Sequence, residues 1–239
     1  QAGFTLTAPN GGENWLVGST QTLTWITNGT VNFVTLAYST DSGLTYPNLI
    51  TSSTTNMGNF SWTVPDTVSG TVRVRVADAT DAEASDTSNA DVRIRVAVTL
   101  GAPNGGEQWR VGEVRTITWS AVGTVPAVRL QYSRDNFISD IQTIHAAAPT
   151  PGPYAWTIPD AISNTVKVRI MDPNDPGALD LSNADMRITA NFTVIAPNGG
   201  EQWVVGSTQN VTWTKAGSVT NAKIDYSTDA GGTWVPIIG

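Results

Sequence analysis

The sequence predicts an all-β protein made of tandem β-sandwiches, and three observations lead to this fold class. Apolar and polar residues alternate with a period of two along short segments, as they do in half-buried strands. Gly, Pro, Asn and Asp separate these segments, and Ser and Thr supply 51 of the 239 residues, a composition that suits pleated surfaces and turns. One pattern also recurs at a fixed distance along the chain, which is typical of a repeat architecture.

The repeat has a period of 94 residues. The string A-P-N-G-G-E-x-W begins at Ala8, Ala102 and Ala196, with no insertion or deletion between the copies. The third copy follows the pattern only as far as the equivalent of Thr51, so it has no counterpart of residues 52–97. We therefore expect two complete sandwiches and the first half of another, which we call unit 1 (residues 1–97), unit 2 (98–191) and unit 3 (192–239).

Each complete unit is expected to contain about seven short strands. Such strands, separated by turns within roughly 94 residues, are typical of a two-sheet sandwich of the immunoglobulin or fibronectin-III type. No segment has a convincing helical period. In unit 1 the predicted strands are Phe4–Thr7, Gln21–Trp25, Val34–Tyr38, Thr45–Ile50, Asn59–Val64, Thr71–Val76 and Asp91–Val96.

Three aromatic residues of the unit lie on strands whose apolar sides would face each other across the sandwich. Burying a Trp or Tyr side chain removes about 150–250 Å² from water, so we expect these rings to form the core and not a platform for sugars. The predicted core aromatic residues are Trp25, Tyr38, Trp62, Trp119, Tyr132, Trp156, Trp213 and Tyr226.

The motifs of the unit resemble those of a known module. P-N-G-G-E-x-W-x-x-G is followed by T-W, then Y-S-T-D-x-G and then W-T-[VI]-P-D. This combination resembles the Ig-like repeats of prokaryotic cell-surface and secreted proteins, which are related to the Ser/Thr-rich, GPI-anchored family that includes fungal proteins of cell-wall β-1,6-glucan assembly. The resemblance implies extracellular β-sandwiches. It assigns no catalytic residue, because such modules serve as spacers, adhesive stalks, enzyme appendages and wall components.

A smaller motif matches the Asp-box hairpin of sialidases and other propellers. Ser227–Trp234 is S-T-D-A-G-G-T-W, Ser39–Tyr46 is a near copy, and the equivalent segment Ser133–Phe137 lacks the glycine. In such a hairpin the Asp accepts backbone hydrogen bonds and the Gly supplies a positive φ. Propeller blades have four strands in about 40–50 residues, which a 94-residue unit does not match. We therefore interpret this motif as a folding device.

Composition and charge argue against several classes of function. The net charge is −7, whereas nucleic-acid binding needs clustered Lys and Arg facing the phosphates. Without Cys there are no disulfides or thiolate metal sites, and no apolar run approaches the ~18 residues of a membrane helix. The only histidine, His145, corresponds to Thr51 in unit 1, so a Ser-His-Asp site is not expected. We predict a non-enzymatic, extracellular protein that needs no cofactor.

Calcium is the one metal that the sequence suggests. The loop between the last two strands carries several carboxylates in both complete units, and hard cations take six to eight oxygen ligands. The alternative, which we favour, is an acidic, solvated loop with Asx turns, because the spacing is not that of an EF-hand. The candidate ligands are Asp78, Asp81, Glu83 and Asp86 in unit 1, and Asp172, Asp175 and Asp180 in unit 2.

Two positions of the repeated string leave alternatives open. The glutamate is either a metal ligand or a hydrogen-bond anchor for the turn, and we favour the anchor. The tryptophan two residues later lies in a predicted loop, where it would present its ring to a sugar or fill a gap in the structure. These positions are Glu13, Glu107 and Glu201, and Trp15, Trp109 and Trp203.

Basic residues form rows on the last two predicted strands. If these strands pair, the basic side chains share one outward face, which would dock an acidic loop of a neighbouring copy or an anionic polysaccharide. The alternative is an ordinary face that protects and solubilises the sheet. The residues are Arg73, Arg75, Arg93 and Arg95 in unit 1, and Lys167, Arg169 and Arg187 in unit 2.

The spacing between units indicates a stiff assembly. No Gly/Ser-rich or Pro-rich linker separates Asp91–Val96 from Val98–Leu100, and a junction this short restricts bending. We predict a rod in a surface filament, layer or adhesive stalk, whose partners are further copies, neighbouring repeats of a longer chain or a cell-surface polysaccharide. The alternative is a carbohydrate-binding or spacer appendage of a secreted hydrolase.

The half unit should leave an apolar face open. Cutting a sandwich after its first four strands would expose Val211, Trp213, Ile224, Tyr226 and the region of Trp234. A soluble monomer rarely leaves so large an apolar face uncovered. We expect it to be covered either by more of a longer chain or by a partner chain.

Overall fold

The computed structural model describes residues 2–237, and within them the regular structure consists of strands without an α-helix. It follows that no helix in this part of the chain is long and apolar enough to cross a membrane. Unit 1 contains nine strands. They are β1 (Gly3–Ala8), β2 (Asn14–Leu16), β3 (Thr20–Asn28), β4 (Phe33–Ser39), β5 (Asn48–Thr55), β6 (Asn59–Thr63), β7 (Ser69–Asp78), β8 (Ser85–Thr87) and β9 (Val92–Arg95).

Unit 2 repeats this order strand for strand, and the described part of unit 3, up to residue 237, contains four strands. Those of unit 2 are β10 (Ala97–Ala102), β11 (Gln108–Arg110), β12 (Val114–Val122), β13 (Ala127–Ser133), β14 (Gln142–Pro149), β15 (Tyr154–Thr157), β16 (Ser163–Met171), β17 (Leu179–Leu181) and β18 (Met186–Thr189). Those of unit 3 are β19 (Asn191–Ala196), β20 (Thr212–Ala216), β21 (Asp225–Tyr226) and β22 (Val235–Pro236).

Two sheets make up each complete unit. In unit 1 the smaller sheet has the order β1-β3-β6, and the larger sheet has the order β2-β9-β7-β4-β5, with β8 also paired to β7. Every pair is antiparallel except β2 with β9, which is parallel. Unit 2 has the same two orders, β10-β12-β15 and β11-β18-β16-β13-β14. The predicted all-β tandem of immunoglobulin-like and fibronectin-III-like sandwiches is confirmed.

The core of each unit lies between its sheets. The inward residues of the central strands are fully buried, among them Leu23, Leu36, Val74 and Ile94. Period-two alternation puts these side chains inside and the intervening polar ones outside, because successive strand residues point to opposite faces. Trp62 closes one side of the core, with its ring 5.3 Å from that of Tyr38.

The prediction of aromatic core residues needs correction in unit 3. Trp25, Tyr38, Trp62 and Trp156 are buried, whereas Trp119 and Tyr132 are half-buried beside the core of unit 2. Trp213 and Tyr226 of unit 3 are 40% and 49% exposed. In unit 1 the equivalent rings are covered by strands β6, β7 and β9, which have no equivalents among the described residues of unit 3.

Some boundaries differ from those predicted. Strands β2 and β8 were not anticipated, since each has only three residues and so shows no periodicity. Strand β5 covers Asn48–Thr55 and not Thr45–Ile50, because the Asp-box turn occupies the residues before it. Ala97 already belongs to β10, one residue before the expected start of unit 2.

Candidate functional site at the junctions between units

The junctions are where the structure brings together residues from different units. Only Val96 separates β9 from β10, and only Ala190 separates β18 from β19. Val96 is buried and packs with the apolar core of unit 2. One buried residue leaves the connection little freedom to bend.

A carboxylate of one unit binds the next unit at both junctions. Thr124 Oγ1 donates a hydrogen bond to Asp66 Oδ2 at 2.5 Å. At the equivalent place in the next junction, the hydroxyl of Ser218 donates to Asp160 Oδ2, and its backbone N–H donates to Oδ1 at 3.0 Å. The hydrogen bond from the Thr124 or Ser218 hydroxyl is the main cause that lowers the pKa of the Asp66 or Asp160 carboxyl group. The hydrogen bond from the backbone N–H of the same residue lowers it further. The aspartates belong to the W-T-[VI]-P-D motif, so this motif positions a contact between units.

A glycine allows the close approach at each junction. A Cβ on Gly123 would lie 3.0 Å from Val96 Cγ1 and 3.1 Å from Val17 Cγ2. A Cβ on Gly217 would lie 3.1 Å from Ile162 Cδ1 and 3.3 Å from Val111 Cγ2. Both glycines also have a positive φ, which an L side chain rarely adopts.

The first junction has a second, electrostatic contact. Arg93 Nη1 lies 3.9 Å from Asp175 Oδ1, and Arg95 Nη1 donates to the carbonyl of Gly177 at 3.5 Å. Both contacts join the end of β9 to the acidic loop of unit 2 beside an open cavity of about 230 Å³. Exposed ion pairs contribute little to stability, about 0–1 kcal/mol, so this contact orients the units more than it binds them.

The other predicted interface residues contact their own units. Arg73 Nε pairs with Asp91 Oδ1 at 2.8 Å, and Arg75 binds the carbonyl of Ala82 and Ser85 Oγ. In unit 2, Arg169 donates to the side-chain oxygen of Gln131 and stacks on the Phe137 ring. Arg187 Nε donates to Asn164 Oδ1. Lys167 borders an open cavity near Asp185. The basic rows therefore do not form one continuous free surface.

The candidate calcium ligands point to different places. The described residues contain no group of three or more His, Asp or Glu side chains arranged to hold a metal. Asp78 accepts from the N–H and hydroxyl of Thr80, and the carboxylates of Asp81, Asp172 and Asp175 accept backbone N–H groups two residues ahead. Asp86 and Asp180 cap the backbone N–H groups of Leu6 and Leu100 at 2.7 and 2.8 Å. These are the Asx turns of the alternative interpretation, together with two caps that join the sheets.

The glutamates and tryptophans of the repeated string have structural contacts. Glu13 accepts hydrogen bonds at 2.8 Å from the N–H groups of Asn10 and Gly11, which makes it a hydrogen-bond anchor for the turn. Trp15 lies on strand β2, not in a loop as predicted, and is 7% exposed. Trp109 is buried in the same way, so neither ring is available to a sugar, whereas Trp203 of unit 3 is exposed.

The remaining chemistry-bearing groups stand apart from one another. The His145 ring packs on Tyr154, and its Nδ1 accepts from the N–H of Ala147. In the Asp-box turn, hydrogen bonds from the Ser39 and Thr45 hydroxyls lower the pKa of Asp41 to about 2. Unit 2 keeps this turn without the glycine, since Phe137 itself adopts φ +61.

Comparison with known proteins gives similarity of fold alone. No family model and no curated protein sequence matches the chain. Among solved structures, the fibronectin(III)-like modules of Clostridium thermocellum CbhA are 16% identical, with a TM-score of 0.28, over 77% of this chain and 93% of theirs. The titin domains Z1Z2, solved in complex with telethonin, are 15% identical, with a TM-score of 0.28, over 79% and 97%. The N-terminal four Ig domains of Dscam1 isoform 9.44 are 9% identical, with a TM-score of 0.36, over 78% and 46%.

Sequence reasoning missed the contact between Asp66 and Thr124. A signal was present, because G-T-V, G-T-V and G-S-V recur at Gly29, Gly123 and Gly217 with the same 94-residue spacing. A turn glycine has an obvious local role, however, and the sequence does not indicate that this turn meets the preceding unit.

Proposed function

We propose that the chain is a non-enzymatic structural protein of the extracellular space or cell surface, in which successive sandwiches form a stiff rod. Such a rod would serve in a filament, a surface layer or an adhesive stalk. This role fits the Ig-like repeats of prokaryotic surface proteins that the motifs resemble.

The observation that carries the proposal is the repetition of the junction. At both boundaries a single residue connects the strands, a P-D carboxylate accepts from a Thr or Ser of the next unit, and a glycine packs against the preceding unit. Flexible linkers have no such contacts, because Gly/Ser-rich segments behave as random coils. A junction built the same way twice would give each unit a fixed orientation relative to the one before it.

The stiffness of the first junction can be measured directly. The chain has no cysteine, so Leu44→Cys and Ile138→Cys, at positions that are 85% and 83% exposed, would accept a donor and an acceptor dye. Single-molecule energy transfer should give one narrow distance distribution. A variant with Gly-Ser-Gly-Ser inserted between Val96 and Ala97 is the control and should broaden it. A native distribution as broad as that of the control would contradict the proposal.

The assembly itself is tested by electron microscopy of the native material. Filaments or sheets with a repeat that matches stacked sandwiches would support the structural role. A monodisperse chain that binds a polysaccharide in a pull-down, and forms no assembly at high concentration, would instead support an appendage of a secreted hydrolase.

A further inference from the structure

The outer face of the larger sheet of unit 1 has an open cavity of about 190 Å³. Ala37 on β4 and Ala77 on β7 line this cavity and are only 7% and 6% exposed. Their side chains point away from the core, because strand residues alternate between the two faces and the neighbouring Leu36 and Val76 are buried inside. The cavity therefore lies over two small side chains.

Ala37 lies between an arginine and a leucine in the sheet. It is paired with Arg75 on β7 and with Leu49 on β5, and both of these residues also line the cavity. Strand β5 is at one edge of the larger sheet, where Leu49 is 62% exposed. The cavity is therefore accessible from solvent and combines one cationic side chain with apolar ones.

In unit 2 a glutamine side chain occupies the equivalent place. Gln131 is the counterpart of Ala37, and it is paired with Arg169 as Ala37 is with Arg75. The Gln131 Oε1 atom accepts hydrogen bonds from Arg169 Nε and Nη2 at 3.2 and 2.6 Å, and this residue is 9% exposed. A buried carboxamide oxygen is thus the acceptor for this arginine in unit 2.

Each arginine packs on an aromatic ring, but only one of them has a side-chain amide beside it. The Arg75 guanidinium lies 5.7 Å from the centroid of the Tyr46 ring, and that of Arg169 lies 4.3 Å from the centroid of Phe137. The hydrogen bonds of Arg75 within the described part of the chain go to residues 82 and 85, and both use Nη2. Its Nε can therefore donate to a ligand.

The cavity also contains an acceptor. Asp78 lines it together with Arg75, and its Oδ1 accepts from the N–H and the hydroxyl of Thr80 at 2.8 Å. The second carboxylate oxygen can then accept from a ligand, since a carboxylate has about four lone-pair sites. A primary carboxamide has one acceptor oxygen and two N–H donors, so it matches both side chains. A carboxylate would match Arg75 but would be repelled by Asp78.

The size of the cavity fits a side chain better than a whole ligand molecule. Pockets for small molecules usually measure about 300–1,000 Å³, whereas this cavity measures about 190 Å³. One water molecule takes about 30 Å³ of liquid volume, so the cavity has room for about six atoms of that size. A glutamine side chain has a comparable number of non-hydrogen atoms.

We propose that this cavity of unit 1 binds a glutamine side chain that is presented by another polypeptide. The side-chain carbonyl would accept from Arg75, as Gln131 does from Arg169 in unit 2. The amide N–H groups would donate to Asp78, and the aliphatic stem would pack on Leu49 and on the alanines below. Unit 2 supplies this group from its own chain, and unit 1 would receive it from a partner.

The test follows the full chain by two-dimensional NMR during titration with acetyl-Gly-Gln-Gly-N-methylamide. Shifts are expected at the backbone N–H groups of Ala37, Arg75 and Ala77. The equivalent positions Gln131 and Arg169 are the internal control and should not shift. The same peptide with Glu in place of Gln should bind at least about threefold more weakly, because Asp78 repels its charge. The peptide with Ala should cause no shifts at these positions.

Two chain variants test the cavity from the other side. Ala37→Gln gives unit 1 the side chain that unit 2 has, so it should fill the cavity and abolish the peptide shifts. Ser53→Gln is the matched control, because it adds the same side chain at an exposed position of β5 outside the cavity lining, and binding should stay within about threefold. Arg75→Lys keeps the charge without the planar fork and should weaken binding about tenfold.

Several outcomes would overturn the proposal. They are equal binding of the Gln and Ala peptides, tighter binding of the Glu peptide, and peptide shifts that persist in Ala37→Gln. Titration with butyramide tests the source of the carboxamide. If butyramide binds and the Gln peptide does not, the ligand is a free small amide, and a polypeptide is overturned as its source. The rod is tested separately by energy transfer across the first junction, so the rod and this site can fail independently.

Discussion

The indole ring of Trp62 meets that of Trp15 edge-on, with ring centroids 5.7 Å apart and planes at 75°. The equivalent pair in unit 2, Trp156 and Trp109, is 5.9 Å apart at 69°. Trp15 lies on the short strand β2 and Trp62 on β6 of the opposite sheet. This aromatic contact therefore joins the two sheets of each complete unit.

Trp62→Ala should destabilise unit 1 by about 3–5 kcal/mol, since it opens a cavity in a close-packed core. Trp213→Ala is the comparison, because that ring is already exposed, and its effect should stay below about 1 kcal/mol. Urea unfolding followed by circular dichroism measures both. If Trp62→Ala lowered the free energy of unfolding by no more than about 1 kcal/mol, like Trp213→Ala, the core of unit 1 would not depend on this contact.

Asp66→Ala should broaden the energy-transfer distribution between dyes at positions 44 and 138, because Thr124 loses its acceptor.

The same junction predicts a pH dependence. The Thr124 hydroxyl lowers the pKa of Asp66 in the folded chain, so the contact is fully present above the ordinary aspartate pKa of about 3.9. It is lost as the pH falls through the lowered pKa. The distribution should stay narrow from pH 7 to pH 5 and broaden only in stronger acid. Broadening near pH 6 would mean that the titration of a group other than Asp66 controls the contact between the units.

Gly105→Ala should destabilise unit 2 by about 2–4 kcal/mol, combining a strained φ with a clash against Ala184. Gly106→Ala is the control, because Gly106 also has a positive φ, but a Cβ added there would have no atom within 4 Å. It should cost only the strain, about 1 kcal/mol. Thermal unfolding separates the two. Similar losses would show that φ alone requires the glycine.

Phe137 holds a left-handed conformation while its ring lies under the Arg169 guanidinium, 4.3 Å from the ring centroid. Phe137→Ala should lose the stacking and keep the strain. Phe137→Gly loses the same stacking but relieves the strain, so it should be more stable than the alanine variant by about 1 kcal/mol. Urea unfolding of both variants checks this. An alanine variant that equals the glycine variant would mean that the turn relaxes.

Millimolar calcium should leave the midpoint of thermal unfolding unchanged to within about 1 °C, because a ligand stabilises a protein only through a site in the folded state. The carboxylates of the acidic loops bind backbone N–H groups in different directions. Calorimetry with calcium, and again with a chelator, makes the comparison. A clear rise with calcium would restore the calcium-site hypothesis and place the ligands in these loops.

The fold class, the 94-residue register and most strands follow from the amino-acid sequence alone. Alternation at positions such as Val72, Val74 and Val76 has a direct physical cause, since every second side chain of a strand points to the same face. The glycines of P-N-G-G-E and the aspartate of the Asp-box turn were also interpretable, because their roles are local.

Contacts between residues far apart in the chain became visible only in the packed structure. Packing buries Trp15 against Trp62, places Thr124 on Asp66, and directs the acidic loop residues to separate backbone groups. Gly11 makes room for Ala90, and Gly105 makes room for Ala184. Periodicity constrains only the face on which a side chain lies. The partner across a sandwich or a junction depends on how sheets and units pack, and that packing is not encoded in the local pattern.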